Sequence, residues 1–315
     1  MARSFFTKNA LQFLLTSIGI FLIGSLPYLL FNMKSQLEVL KMIERKELNN
    51  TLFLSDNIVM NVDAYFGNIV DTVGIIFSGN TTQYYARGSE HPLFPEFWDA
   101  YIQSMQYLIV SLIVALGLAI LLTILTMQLP KHRRGIPKAF LFVMESLPDI
   151  FIILLTQITI IWIYKKTEIL LFNIGNAFDE RAILLPVLVL SLLPALYIYK
   201  YLLLSFEDEE KLLYVELARG KGLNRNRILL IHIFRNSIFT LFNHFKGIFL
   251  FALANLVMLE VIFELNGFMT FIFENGVLNN EIVTMGLFMI FLPSFLFFAI
   301  TQWFLEKRFN VMGGL

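Results

Sequence analysis

The first residues to question for chemistry are the acids and hydroxyls set in apolar sequence. Glu145, Asp149, Thr156 and Thr159 share one apolar run, and a continuous helix would place them within about a quarter-turn of one another. Ionisable groups at membrane depth are costly and often line a cavity, which makes this face a candidate solute pathway. Its closeness to Lys138 and Pro148, near a water-exposed end, favours an interfacial or helix-packing role over substrate contact. Glu260, near the end of another apolar run, suits a gate or a scaffold. His232 and His244 are too far apart for a helical metal pair, and His132 belongs to a basic turn. No cysteine is present, which removes thiol catalysis, iron–sulfur clusters, thiolate zinc sites and disulfides together. The residues therefore offer neither a catalytic constellation nor a metal set.

The elements that must position these groups are apolar and long. Of 315 residues, 57% are hydrophobic and only 15% charged, with 33 Phe; soluble domains run nearer 45–50% and 25%. Disordered and collagenous readings are excluded, and a formal net charge of +0 offers no basic field for nucleic acid. Six apolar runs, about 10–31, 103–128, 139–163, 182–204, 241–263 and 282–305, each approach the roughly 20 residues a membrane span needs. The expected fold is an all-α polytopic membrane protein with six transmembrane helices. Its divisions are an N-terminal span (1–31), an external segment (32–98) and a core of five spans (99–315).

Charge sets the orientation. Lys131, Arg133, Arg134 and Lys138 occupy one connection, and Arg219, Lys221, Arg225, Arg227 and Arg235 another, whereas Leu265–Glu281 has no Lys or Arg. Positive-inside bias predicts that both termini and these basic segments are cytoplasmic. In 32–98, turn signals stand at Gly67-Asn68, Ser78-Gly79-Asn80 and Arg87-Gly88-Ser89. Asn49-Asn50-Thr51 and Asn80-Thr81-Thr82 match glycosylation sequons by a pattern too short to carry weight. Ser111, Ala115 and Ala119, at every fourth position of the second run, suit close helix packing.

The cytoplasmic segment 205–236 breaks the apolar pattern. Acids at Glu207–Glu210 are expected to open a helix over 207–219, where the macrodipole favours negative charge. On it Leu213, Leu217 and Gly220 share one face, and Tyr214 and Ala218 another. Gly220 and Gly222 supply a stop, and a second amphipathic run, Ile228–Phe239, returns to the membrane. Such an element is either an ordinary helical connection or a surface that docks by its apolar face into a partner's groove.

Residue identities separate the two. Glu216-Leu217-Ala218, three residues, then Gly222 resembles the E-A-A-x3-G loop of ABC-importer permeases. The string Tyr214-Val215, Ala218-Arg219-Gly220-Lys221-Gly222-Leu223 and His232-Ile233-Phe234-Arg235-Asn236 is similar, more narrowly, to the dipeptide/oligopeptide/nickel branch. Ser146-Leu147-Pro148, the paired Leu185-Pro186 and Leu193-Pro194, and Glu260-Val261-Ile262-Phe263 followed by Gly267 resemble further branch motifs in the same order. The chain departs at Leu26-Pro27-Tyr28-Leu29, where the branch has P-G-D-P, and at Glu264-Leu265-Asn266-Gly267, where it has G-x-P-G.

The resemblance implies a type I importer fold in a bacterial cytoplasmic membrane. It implies partners too: a second related permease, two ABC ATPase subunits carrying ATP and Mg, and an extracellular solute-binding protein. No G-x-x-x-x-G-K-[ST] string occurs in the chain, so hydrolysis is expected on the partners and no cofactor in this subunit. The residues then expected to couple the subunit to the ATPase are Leu213, Tyr214, Glu216, Leu217, Ala218, Arg219, Gly220 and Gly222. Glu145, Asp149, Thr156, Glu260 and Gly267 are the pathway or gate candidates. Small peptides are the leading cargo, with nickel or a metal chelate second. A proton-coupled secondary transporter and a non-transport membrane scaffold are the rivals.

Overall fold

The computed structural model describes residues 2–31, 33–49, 60–78, 83–168, 172 and 182–312. Among them six helices are long and apolar enough to cross a membrane. The first apolar run is not one helix: α1 (Ala2–Gly24) stops at Ser25, and α2 (Leu26–Leu30) carries Pro27 in its first turn, where a missing N–H is tolerated. The segment expected to be external forms α3 (Met33–Glu44), α4 (Val62–Ser78) and a hairpin of β1 (Gln83–Ala86) and β2 (Ser89–Pro92). Arg87 and Gly88, at φ 51° and 80°, make the hairpin turn, as their sequence suggested. Gly67-Asn68, expected as a turn, is instead inside α4. The signals at 79–82 and the sequon residues 50–51 and 80–82 lie outside the described residues.

The next span, α5 (Leu93–Gln128), has 36 residues. After a 3₁₀ turn at Lys131–Arg133, the third run divides into α6 (Gly135–Glu145) and α7 (Asp149–Thr167). Pro148 causes the break: it has no N–H for the helix ladder and disfavours helical Leu147 before it. Then follow α8 (Leu184–Glu209), the short α9 (Leu213–Gly220), and α10 (Arg225–Arg227). A π-helical stretch, Ile228–Ile233, runs directly into α11 (Phe234–Ile262); α12 (Phe268–Asn275) and α13 (Asn280–Met312) complete the chain.

Packing divides the chain into two compact units, Met1–Tyr101 with Phe271–Leu315, and Ile102–Thr270. This differs from a division at residue 98, because the last helix packs on the first. Phe13 stacks on Phe291 at 5.7 Å, and Asn280 Nδ2 donates to the Gly24 carbonyl at 2.7 Å. In the same unit Tyr28 Oη and Asn68 Nδ2 both donate to Glu281 Oε1, at 3.1 and 2.9 Å. Asn279 holds the hairpin by pairing with both the N–H and the carbonyl of Tyr85, each at 2.9 Å.

In the second unit α8 is the central helix, and most of its apolar length is buried. It packs along α11. Pro186 sits in the first turn of α8 and Pro194 inside it. Ser111, Ala115 and Ala119 are fully buried on α5, the close packing that their small side chains permit.

Candidate functional site

The connection between α8 and α11 is built differently from the helix expected over 207–219. The acids Glu207–Glu209 finish α8, Glu210 caps it, and a new helix begins only at Leu213. Negative charge therefore sits at a helix C-terminus, where the macrodipole disfavours it. Cations compensate each position but one. Lys138 Nζ reaches Glu207 at 2.7 Å and Lys211 Nζ reaches Asp208 at 2.9 Å. Arg134 and Arg219 take the two oxygens of Glu210 at 2.7 and 2.9 Å. Among the described residues Glu209 has no cation partner; it accepts from Tyr214 Oη and, at 3.1 Å, from Asn236 Nδ2.

Arg134 and Glu210 are both buried, with side chains 5% and 8% exposed. The guanidinium also donates to the carbonyls of Met127 and Leu129 at the end of α5, at 3.1 and 3.2 Å. Arg225 donates to the same two carbonyls. Burial alone would raise the Glu210 carboxyl, but hydrogen bonding from Arg134, and the charges of Arg134, Lys131 and Arg219, hold it below its ordinary value. The Tyr214 hydroxyl is pushed up to about 12, first by burial and then by its bond to Glu209.

The end of α9 follows from glycine. Gly222 has φ +74°, a region other residues enter only at a cost. It lets the N–H of Gly222 bond the Arg219 carbonyl at 2.9 Å, and that of Leu223 bond the Ala218 carbonyl at 3.2 Å. These are the two bonds of a Schellman stop. Gly220 remains the last helical residue. The helix has two faces. Val215 and Ala218 are buried, and α9 packs on the π-helical stretch. Leu213 and Leu217, 82% and 61% exposed, point away with Glu216. Two leucines thus stand unpartnered on a helix anchored from behind.

The C-terminal end of α11 holds the other polar centre. Glu260 is fully buried and both its oxygens are used. Oε1 accepts from Ser104 Oγ; Oε2 accepts from the N–H groups of Met269 and Thr270 at 2.9 and 3.1 Å. Ser104 Oγ in turn accepts from the Phe268 N–H at 2.7 Å. The carboxylate therefore caps the start of α12, satisfying N–H groups that a helix leaves unpaired. Both oxygens are thus engaged in holding the loop between α11 and α12. Gly267 lies within the same loop, flanked by Glu264 and Asn266 at φ 50° and 49°.

The third-run face does not converge. Glu145 closes α6 and binds Lys200 at 2.8 Å, while Asp149 opens α7 beyond the Pro148 break. The Thr156 and Thr159 hydroxyls donate to the Ile152 and Leu155 carbonyls of the same helix, 2.8 and 2.7 Å away. The expectation of one continuous face is corrected: Pro148 resets the helical phase between Glu145 and the rest. His244 stacks on Tyr201 at 4.0 Å, a packing role. Among the described residues no three His, Cys, Asp or Glu gather into a metal site.

Sequence reasoning used Arg134 only to orient the chain and missed its clamp on Glu210. It also missed the triangle of Glu209, Tyr214 and Asn236, although Tyr214 and Asn236 both stood in matched strings.

Comparison with known proteins bears on these centres. The family model described as the binding-protein-dependent transport system inner membrane component matches residues 115–310, a range that holds both the turn around α9 and Glu260. Over 64 residues the chain is 41% identical to the peptidoglycan transport system permease protein YejB of Agrobacterium fabrum. That stretch is 20% of this chain and 18% of the relative, so the match spans under a fifth of the relative's length.

Proposed function

Because the chain belongs to the family of binding-protein-dependent transport system inner membrane components, and is thus an integral-membrane permease subunit of an ABC importer, we propose that it carries small peptides and couples to a separate ATPase through α9. The observation that carries the coupling role is the exposed pair Leu213 and Leu217 on a short helix whose opposite face, Val215 and Ala218, is buried. A docking element needs an apolar contact surface and a rigid backing, and α9 has both. It needs no nucleophile. The partners are two ATPase subunits holding ATP and Mg, a second related permease, and an external solute-binding protein. The basic turns face the cytoplasm of a bacterial cell, as positive-inside bias requires.

The transmission follows from the hydrogen bonds. A displacement of α9 acts through Arg219 on Glu210, and through Glu210 on Arg134, which grips the end of α5. Through Tyr214 it acts on Glu209 at the end of α8 and on Asn236 in α11. Three spans thus receive one push, the condition for alternating access driven from outside the chain. The peptide cargo draws support from the motif resemblance and from the relative's description as a peptidoglycan transport permease.

The test is affinity purification from native membranes in mild detergent, then uptake of labelled di- to pentapeptides by the reconstituted assembly. Co-purification of a P-loop ATPase and a second permease, with ATP-dependent peptide uptake, is expected. Uptake that follows a proton gradient without any ATPase would overturn the coupling role. ATP-driven uptake of a metal chelate but of no peptide would overturn the cargo.

A further inference from the structure

Behind α9, the turn after α5 encloses a recess of about 400 Å³ whose polar wall is Lys131, Arg134, Glu210, Arg219 and Arg225. Four cations face one carboxylate. Both oxygens of Glu210 are occupied, by Arg134 and Arg219, so it neutralises one charge of the four. Among the described residues Arg225 donates only to the Met127 and Leu129 carbonyls, and a helix C-terminus offsets only about half a charge. Among the described residues Lys131 belongs to no ion pair. The floor is apolar, with Ile228 and Ile233.

We propose that this recess binds a phosphate group, supplied in place by the phosphodiester of an anionic phospholipid. Position argues for that source. Pro130 follows by two residues the end of α5 and of the apolar run it carries, and basic pockets between spans on the cytoplasmic side suit anionic lipids. Guanidinium groups match phosphate oxygens in pairs. The recess does not include Leu213 or Leu217, so a docked ATPase and a bound headgroup occupy different faces. A phosphate here joins Arg219 on α9 to Lys131 on the turn after α5, and stiffens the junction through which α9 acts. Anionic lipid then regulates coupling.

The experiment uses the permease in its native assembly, purified and equilibrated with phosphatidylglycerol or phosphatidylcholine, with retained lipid counted by native mass spectrometry. A second arm records the melting temperature in inorganic phosphate against chloride at equal ionic strength. Lys131→Gln removes an exposed cation of the recess; Arg133→Gln removes an exposed neighbour outside it. Selective retention of phosphatidylglycerol, weakened about five-fold by Lys131→Gln and unchanged by Arg133→Gln, supports the lipid source. No lipid selectivity, but stabilisation by phosphate that Lys131→Gln abolishes, supports the site with free phosphate as its ligand. Equal losses for the two variants, or no response to Lys131→Gln in either arm, overturn the proposal in favour of a diffuse basic surface.

Discussion

A Cβ on Gly267 would lie 2.3 Å from the carboxyl carbon of Glu260. The glycine is what allows that carboxylate to reach across its own loop to the N–H groups of Met269 and Thr270. Gly267→Ala therefore forces either the loop or the carboxylate out of place. Overpacking of this kind costs about 1–3 kcal/mol, and each N–H that loses its acceptor adds to it. A lower melting temperature and faster proteolysis near residues 264–270 are expected, with ATPase docking intact. An unchanged melting temperature would mean that the loop relaxes freely and that Glu260 is no clamp.

Gly222 poses a different problem, since a Cβ there meets open space. Its requirement is the positive φ alone. Gly222→Ala should cost about 1–2 kcal/mol of backbone strain and slow uptake modestly. Gly222→Pro removes the N–H that bonds Arg219 and fixes φ near −65°, so the Schellman stop cannot form. Uptake should fall at least ten-fold at equal membrane levels. If the proline variant transports normally, the turn after α9 has no part in coupling.

The spans were legible because membrane burial leaves long apolar runs, and the stop at Gly222 because glycine is the residue that such a turn selects. What escaped was set by partners distant in sequence. Glu207–Glu210 read as a helix start because acids favour that end. They close α8 instead, and Lys138 and Arg134, from another connection, make the placement tolerable. The third run hid its break because apolar content persists across Pro148. Glu260 was singled out from its motif, but its role depended on Ser104, which lies 156 residues away.

The Arg134–Glu210 pair lends itself to a mutant cycle. Glu210→Leu leaves a buried guanidinium without its carboxylate, and breaking such a pair costs about 3–5 kcal/mol. Arg134→Met should cost a similar amount, and the double variant less than the sum, because no lone charge remains. The pH dependence has a definite sign. The carboxyl is held below its ordinary value of 4.5, so its stabilisation is complete above that value and is lost as pH falls through the lowered one. Melting temperatures in one detergent from pH 7 down to about pH 3 should show a fall at the acid end that Glu210→Leu lacks. Parallel curves for the two proteins would remove the clamp from the account.

Leu213 and Leu217 separate docking from folding. Both are exposed, at 82% and 61%, and they lie four residues apart on one helical face. Leu213→Asp and Leu217→Asp change side chains that are mostly exposed, so stability should change by no more than about 0.5 kcal/mol. If these side chains enter a groove of the ATPase, an aspartate there loses the apolar contact and also carries an unpaired charge into the interface. That is a large penalty for a short helix. The double variant should reach the membrane at the normal level, melt at the normal temperature and fail to retain the ATPase during purification. Val215→Asp is the counterpart on the buried face: it should unfold the turn and lower the melting temperature itself. Retention of the ATPase by the Leu213/Leu217 double variant would show that α9 is a connection between spans and that coupling runs through another surface.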